Sequence, residues 1–200
     1  MKAKDYIASL QRTINDLPID LIEEFVDILH EARLSKKQIF IMGNGGSAST
    51  ASHFVCDLAK NIREDGWPHF KVIGLSDNMA IFSAYANDEG YENVFSQQLE
   101  NLVQNGDIVI GISASGNSPN VLNAMSVAQT HNAETIGFTG FDGGKLGKMV
   151  NYHIHIPNNN YGQIEDVHLM LEHITIHALQ DRINIDIPQK EPNDLEELAS

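Results

Sequence analysis

Five short apolar runs recur along this chain, and segments of helical length separate them. The runs are Gln38–Gly43, Lys71–Leu75, Asp107–Ile112, Glu134–Thr139 and Tyr152–Ile156. Each is too short for a buried helix and each is bounded by glycine or polar turn residues, so each reads as a strand. Near-continuous apolarity, as in Ile39-Phe40-Ile41-Met42, marks strands covered on both faces. Helical segments are expected at about 47–60, 78–86, 91–104, 118–132 and 144–149, with a last one at about 163–182. Strands alternating with helices build right-handed βαβ units around a parallel sheet. Two helices precede the first strand. Ile7, Leu10, Ile14 and Leu17 recur at helical spacing up to Pro18, and Leu21, Phe25, Ile28 and Leu29 continue the pattern to about Leu34. No period of 20–50 residues repeats, which excludes a solenoid.

Composition narrows the function. The chain has 200 residues, enough for one domain with a real core. Thirteen Lys and Arg against 27 Asp and Glu give a formal charge of −14. That balance argues against nucleic-acid and anionic-membrane binding, since phosphate backbones reward Lys and Arg. It does not exclude a small phosphate held by backbone N–H groups. One cysteine, Cys56, rules out an internal disulfide framework and a cysteine-only zinc site. No apolar run approaches the ~18 residues of a membrane helix, and the first residues have no apolar signal core. A cytoplasmic location is the expectation. One domain should span residues 1–183, with a helical segment over 1–36. The tail at 184–200, with two prolines and mostly acidic charge, reads as a solvated extension.

In open parallel sheets ligands bind beyond the carboxyl ends of the strands. Two turns stand out there. Gly43-Asn44-Gly45-Gly46-Ser47-Ala48-Ser49 follows the first strand; its glycines let backbone approach a ligand, and Ser47 is placed to cap the next helix. Ser113-Ala114-Ser115-Gly116-Asn117-Ser118-Pro119 follows the third, with three hydroxyls leading into a helix N-terminus. Free amides and the helix dipole suit a phosphate dianion. Either turn alone could be a plain strand–helix connection; two of this kind in one sheet favour a shared ligand crevice. Neither is a dinucleotide fingerprint or a Walker loop. A third turn, Gly140 to Lys145, reads as a turn with a helix cap. Asn87 and Asp88 close a helix and are equally compatible with a simple cap and with ligand contact.

Titratable groups gather on two helices. His53 and Asp57 are four apart and share a face. The last helix carries Glu165, Asp166, His168, Glu172, His173 and His177. Spacing alone pairs Glu165 with His168, or His173 with His177. Glu165 and His173 are eight apart, about 12 Å along the axis. They could meet only at something between them. Any one of these groups could equally be solvated or structural.

Taken together, these segments resemble the sugar isomerase (SIS) fold and, within it, the phosphoheptose isomerases. The resemblance rests on Gly43 to Ala48, Ser52-His53-Phe54, Ala86-Asn87-Asp88, Gly111 to Ser118, Thr139 to Lys145 and Glu165-Asp166-Val167-His168 to His173. It implies a three-layer, doubly wound α/β domain with five parallel strands in flavodoxin-like order. It also implies a homotetramer with active sites near subunit interfaces. The implied activity is conversion of sedoheptulose 7-phosphate to D-glycero-D-manno-heptose 7-phosphate. The implied substrate contacts are Asn44, Gly45, Gly46, Ser47, Asn87, Asp88, Ser113, Ala114, Ser115, Ser118 and Glu165. Asp57 is the implied base and His173 the implied acid. A zinc ion is implied at His53, Asp57, Glu165 and His173. The chain departs from the pattern where Asp57 replaces a usual Glu, Glu165 a usual Gln, and Ala114 a usual Thr. The alternatives are a non-catalytic SIS protein that binds phosphosugars, of the replication-initiator-associating type, and an isomerase of another phosphosugar.

Overall fold

A computed structural model describes residues 2–186. Two helices come first, α1 (Ala3–Asn15) and α2 (Ile19–Leu34). There follow β1 (Gln38–Gly43), α3 (Gly46–Lys60), β2 (Lys71–Gly74) and α4 (Met79–Asp88). A 3₁₀ turn at Tyr91–Asn93 leads to α5 (Ser96–Leu102), β3 (Ile108–Ile112) and α6 (Pro119–Thr130). The chain then runs through β4 (Glu134–Thr139), α7 (Leu146–Met149), β5 (Tyr152–His155) and α8 (Tyr161–Asp186). All five expected strands form. The expected helix at 91–104 is broken, because Val94 and Phe95 turn inward and are fully buried. The last helix begins earlier and runs later than its periodicity suggests; of the expected tail, residues from 187 on lie outside the described residues.

The sheet is wholly parallel, in the order β2-β1-β3-β4-β5. This is the flavodoxin-like order, whose switch point lies between β1 and β3. There the register pairs Met42 with Gly111 and Gly43 with Ile112. The two unusual turns therefore leave the sheet side by side.

Period-two alternation splits the core into two layers. Ile39 and Ile41 of β1 face one cluster with Ile108, Ile110 and Ile112 of β3 and with residues of α2, α3 and α8. Phe40, Met42 and Val109 face the other, with Leu99, Val121, Met125 and Leu146 from α5, α6 and α7. The three central strands are buried and the edge strands β2 and β5 only partly so. α1 is tied to the start of α8 and the loop before it through polar groups: Gln163 Nε2 of α8 donates to the Tyr6 carbonyl (3.0 Å) and Asn158 Nδ2 of the loop to Thr13 Oγ1 (2.6 Å). Among the described residues no helix is long and apolar enough to cross a membrane.

Candidate active site

The turn after β1 is tight. A side chain at Gly43 would collide with the Ser47 backbone at 2.6 Å, so α3 can return this closely only past a glycine. The helix starts at Gly46 with Gly45 as its N-cap, at a φ of 55°. Ser47 is therefore inside the first turn and does not cap it. The first amides of α3 are left without side-chain partners. Asn44 is fixed by a reciprocal amide pair with Asn120 (2.9 Å each way) and accepts a hydrogen bond from Tyr91 Oη (2.8 Å). Those bonds tie the two turns and the 3₁₀ turn together.

The turn after β3 is as ordered. Ser113 is buried, and its hydroxyl lies 3.1 Å from that of Ser118, the N-cap of α6. Pro119 takes the first position of the helix, as its missing N–H allows. Ala114 is buried among apolar neighbours and Ser115 stays half-buried. The third turn braces this one. Lys145 N donates to Asn117 Oδ1 (3.2 Å) and Leu146 N to the Gly116 carbonyl (2.9 Å). A side chain at Gly116, whose φ is 62°, would strike the Gly143 carbonyl. Gly140 to Lys145 thus supports the serine turn. Asn87 and Asp88 are exposed at the end of α4, joined by a 2.7 Å hydrogen bond.

The titratable groups come together by helix direction. α3 follows β1 and α8 follows β5, strands of one parallel sheet, so both helices run back the same way. Their partners advance in step. Glu165 faces Gly46 at the start of α3; a Cβ there would lie 2.5 Å from Glu165 Oε1. Further along, the His53 and His173 rings sit 5.0 Å apart, nearly perpendicular. Near the end Gln180 Nε2 donates to the Asn61 carbonyl (3.1 Å).

Midway along this seam four groups converge. His53, Asp57, Glu172 and His173 each offer one ligand atom, all within 4.8 Å of one another. His53 Nε2 is 3.7 Å from Asp57 Oδ2, and His173 Nε2 is 3.3 Å from Glu172 Oε2. Asn61 Nδ2 donates to the other Asp57 oxygen at 2.8 Å. The histidines are half exposed and the carboxylates buried. Glu172 is fully buried, and its carboxyl stands within hydrogen-bonding reach of Asp57. Burial first, then the neighbouring Asp57 charge, pushes its pKa up to about 8.

Three of the four residues expected at a metal are thus here, and the fourth place differs. Glu165 stands two turns before Glu172 on α8, about 10 Å along the axis at 1.5 Å per residue. Its carboxylate therefore lies at the α3 N-terminus. The sequence list of acids on the last helix contained Glu172, but only the register of α8 against α3 shows which acid reaches Asp57. The set fits a divalent cation. Four ligands around zinc at ~2.0–2.1 Å stand about 3.3 Å apart, close to the separations above. Two imidazoles and two carboxylates are zinc's ordinary donors.

Comparison with known proteins places this arrangement. Residues 4–140 match the family described as SIS domain. The chain belongs to the SIS domain family. A phosphoheptose isomerase of Aliarcobacter butzleri is 36% identical to this SIS protein over 165 residues, covering 82% of this chain and 86% of the relative. That of Geotalea daltonii is 36% identical over 185 residues, covering 90% and 95%. The solved phosphoheptose isomerase of Neisseria gonorrhoeae superposes with a TM-score of 0.82 at 26% identity, covering 89% of this chain and 96% of that one.

Proposed function

We propose that the chain is a ketose–aldose isomerase that converts sedoheptulose 7-phosphate to D-glycero-D-manno-heptose 7-phosphate. The observation that carries this reading is the meeting of Asp57 and His173 on the α3–α8 seam, in a chain whose relatives are phosphoheptose isomerases.

The phosphate belongs at the serine turn, where Ser113, Ser115 and Ser118 offer hydroxyls and α6 offers its N-terminus. Asn44, Gly45, Gly46 and Ser47 stand beside it across the switch point, with Glu165 at the same helix start. Asn87 and Asp88 are available for sugar hydroxyls from the end of α4. Anchoring the tail orients the reacting carbons. Asp57 takes a proton from C1 of the open-chain ketose. His173 gives one to the C2 oxygen, forming an enediol; Asp57 then returns its proton to C2 while the C1 hydroxyl gives its proton to His173, leaving the C1 aldehyde and both groups restored. Such groups each contribute roughly 10²–10⁴-fold in rate. His53, Asp57 and His173 would hold a zinc ion, whose chemistry is to polarise the carbonyl and stabilise enediolate charge.

The reading includes a cytoplasmic homotetramer. α4 carries Met79, Ile81, Phe82 and Tyr85 yet buries none of its residues, and Met79 is 67% exposed. Such an apolar helix supports a second copy as its cover. The test is a panel of five-, six- and seven-carbon ketose phosphates with zinc-loaded protein. Conversion of sedoheptulose 7-phosphate well above the others is expected. Equal or better turnover of a shorter sugar, or binding without conversion, would overturn the assignment.

A further inference from the structure

We propose that Glu172 is the fourth metal ligand in this chain and that Glu165 is free of the metal, leaving its carboxylate to the glycine-rich turn. The proposal rests on the isomerase reading only for the use to which the cation is put.

Three observations carry it. Glu172 is fully buried, and its carboxyl stands against that of Asp57 and 3.3 Å from the His173 ring, a cluster that a shared proton or a cation has to hold together. A carboxylate kept there, against a second carboxylate and two imidazoles, is the residue type a divalent cation requires. Its Oε2 is 3.3 Å from His173 Nε2 without the alignment of a hydrogen bond, the spacing of two ligands on one ion. Glu165, by contrast, stands two turns away beside Gly46 and outside the four-group cluster. Asp57 is one methylene shorter than a Glu, and Glu172 enters from the opposite helix beside it. The resulting set has two neutral imidazoles and two carboxylates, which balance the charge of a divalent ion. It selects a borderline transition metal, zinc first, over the oxygen-only preferences of magnesium and calcium.

The test measures metal binding alone, with no sugar present. Cobalt(II) and zinc(II) are titrated into metal-free wild-type protein, Glu172→Gln and Glu165→Gln, following calorimetry and the cobalt visible spectrum. Wild type should give the intense bands of four-coordinate cobalt. Glu172→Gln should lose those bands and more than about 10-fold in affinity, since even outer-shell changes cost 10–100-fold. Glu165→Gln should keep both. Because Glu172→Gln removes a buried carboxyl that its surroundings disfavour, its metal-free melting temperature should equal or exceed wild type, and Glu172→Leu should behave alike. Wild-type affinity in Glu172→Gln would overturn the proposal, as would equal losses in the two Gln variants. Metal binding through Glu172 without turnover of sedoheptulose 7-phosphate would overturn the functional reading alone.

Discussion

The two ends of the α3–α8 seam hold negative charge in opposite ways. At the Gly46 end the Glu165 carboxylate lies at a helix N-terminus, half-buried, where amides and the dipole favour it. At the Asp57 end two carboxyl groups are buried against each other. The first is partly open to solvent. The second is left to a proton or a cation, and a chain keeps such a cost where chemistry uses it. On the proposed reading the difference separates two tasks: the Gly46 end lies beside the phosphate anchor of the serine turn, and the Asp57 end performs proton transfer.

The strongest way to break this division is Asp57→Asn. Turnover should fall by roughly 10²–10⁴-fold while circular dichroism and melting show an intact fold. Retained activity would move the base elsewhere, to Glu165 first. His168 sharpens the comparison next, because it lies between the two ends of α8 and is also fully buried, with the Thr139 backbone against its ring. Burial lowers its pKa to about 4, with the Thr139 backbone opposing in part. The neutral ring is favoured in the fold, so its contribution is complete above pH 6.5 and is lost as pH falls towards 4. Urea denaturation of metal-free protein should lose up to about 3 kcal/mol over that range from this residue. His168→Leu should show a correspondingly shallower acid slope; an unchanged slope would contradict the assignment.

Smaller effects belong to the anchoring end. Ser115→Ala should raise KM about 10-fold or more, the scale of one hydrogen bond to a charged group at 1.5–3 kcal/mol, with kcat less affected. Glu165→Gln should change KM by only a few-fold, since geometry is kept and one partly solvated charge is removed. A collapse of kcat in Glu165→Gln would show that the two ends are not separate.

Much of this was legible in the sequence. The apolar runs at 38–43 and 134–139 match β1 and β4 residue for residue, because a doubly covered strand has to be apolar along its length. The two polar turns could be placed at strand ends, and the strand order then set them side by side. The break between Tyr91 and Ser96 was not legible, because inward burial of Val94 and Phe95 is a tertiary choice imposed on a helical pattern. Glu172 escaped for a related reason. α8 is buried at Leu171, Glu172, Thr175, Ile176 and Leu179, one stripe at helical spacing, which puts Glu172 inside but does not choose which acid of the helix stands opposite Asp57. That choice depends on how far α8 slides along α3, which no local spacing records.

The most direct test follows hydrogen at the reacting carbons. Sedoheptulose 7-phosphate is incubated with zinc-loaded protein in heavy water and read by proton and carbon NMR. The aldose should carry solvent deuterium at C2 and the recovered ketose should exchange at C1, with both signals absent in Asp57→Asn. An aldose formed without any solvent deuterium, or a substrate untouched by the loaded wild-type protein, would contradict proton transfer at the Asp57–His173 end.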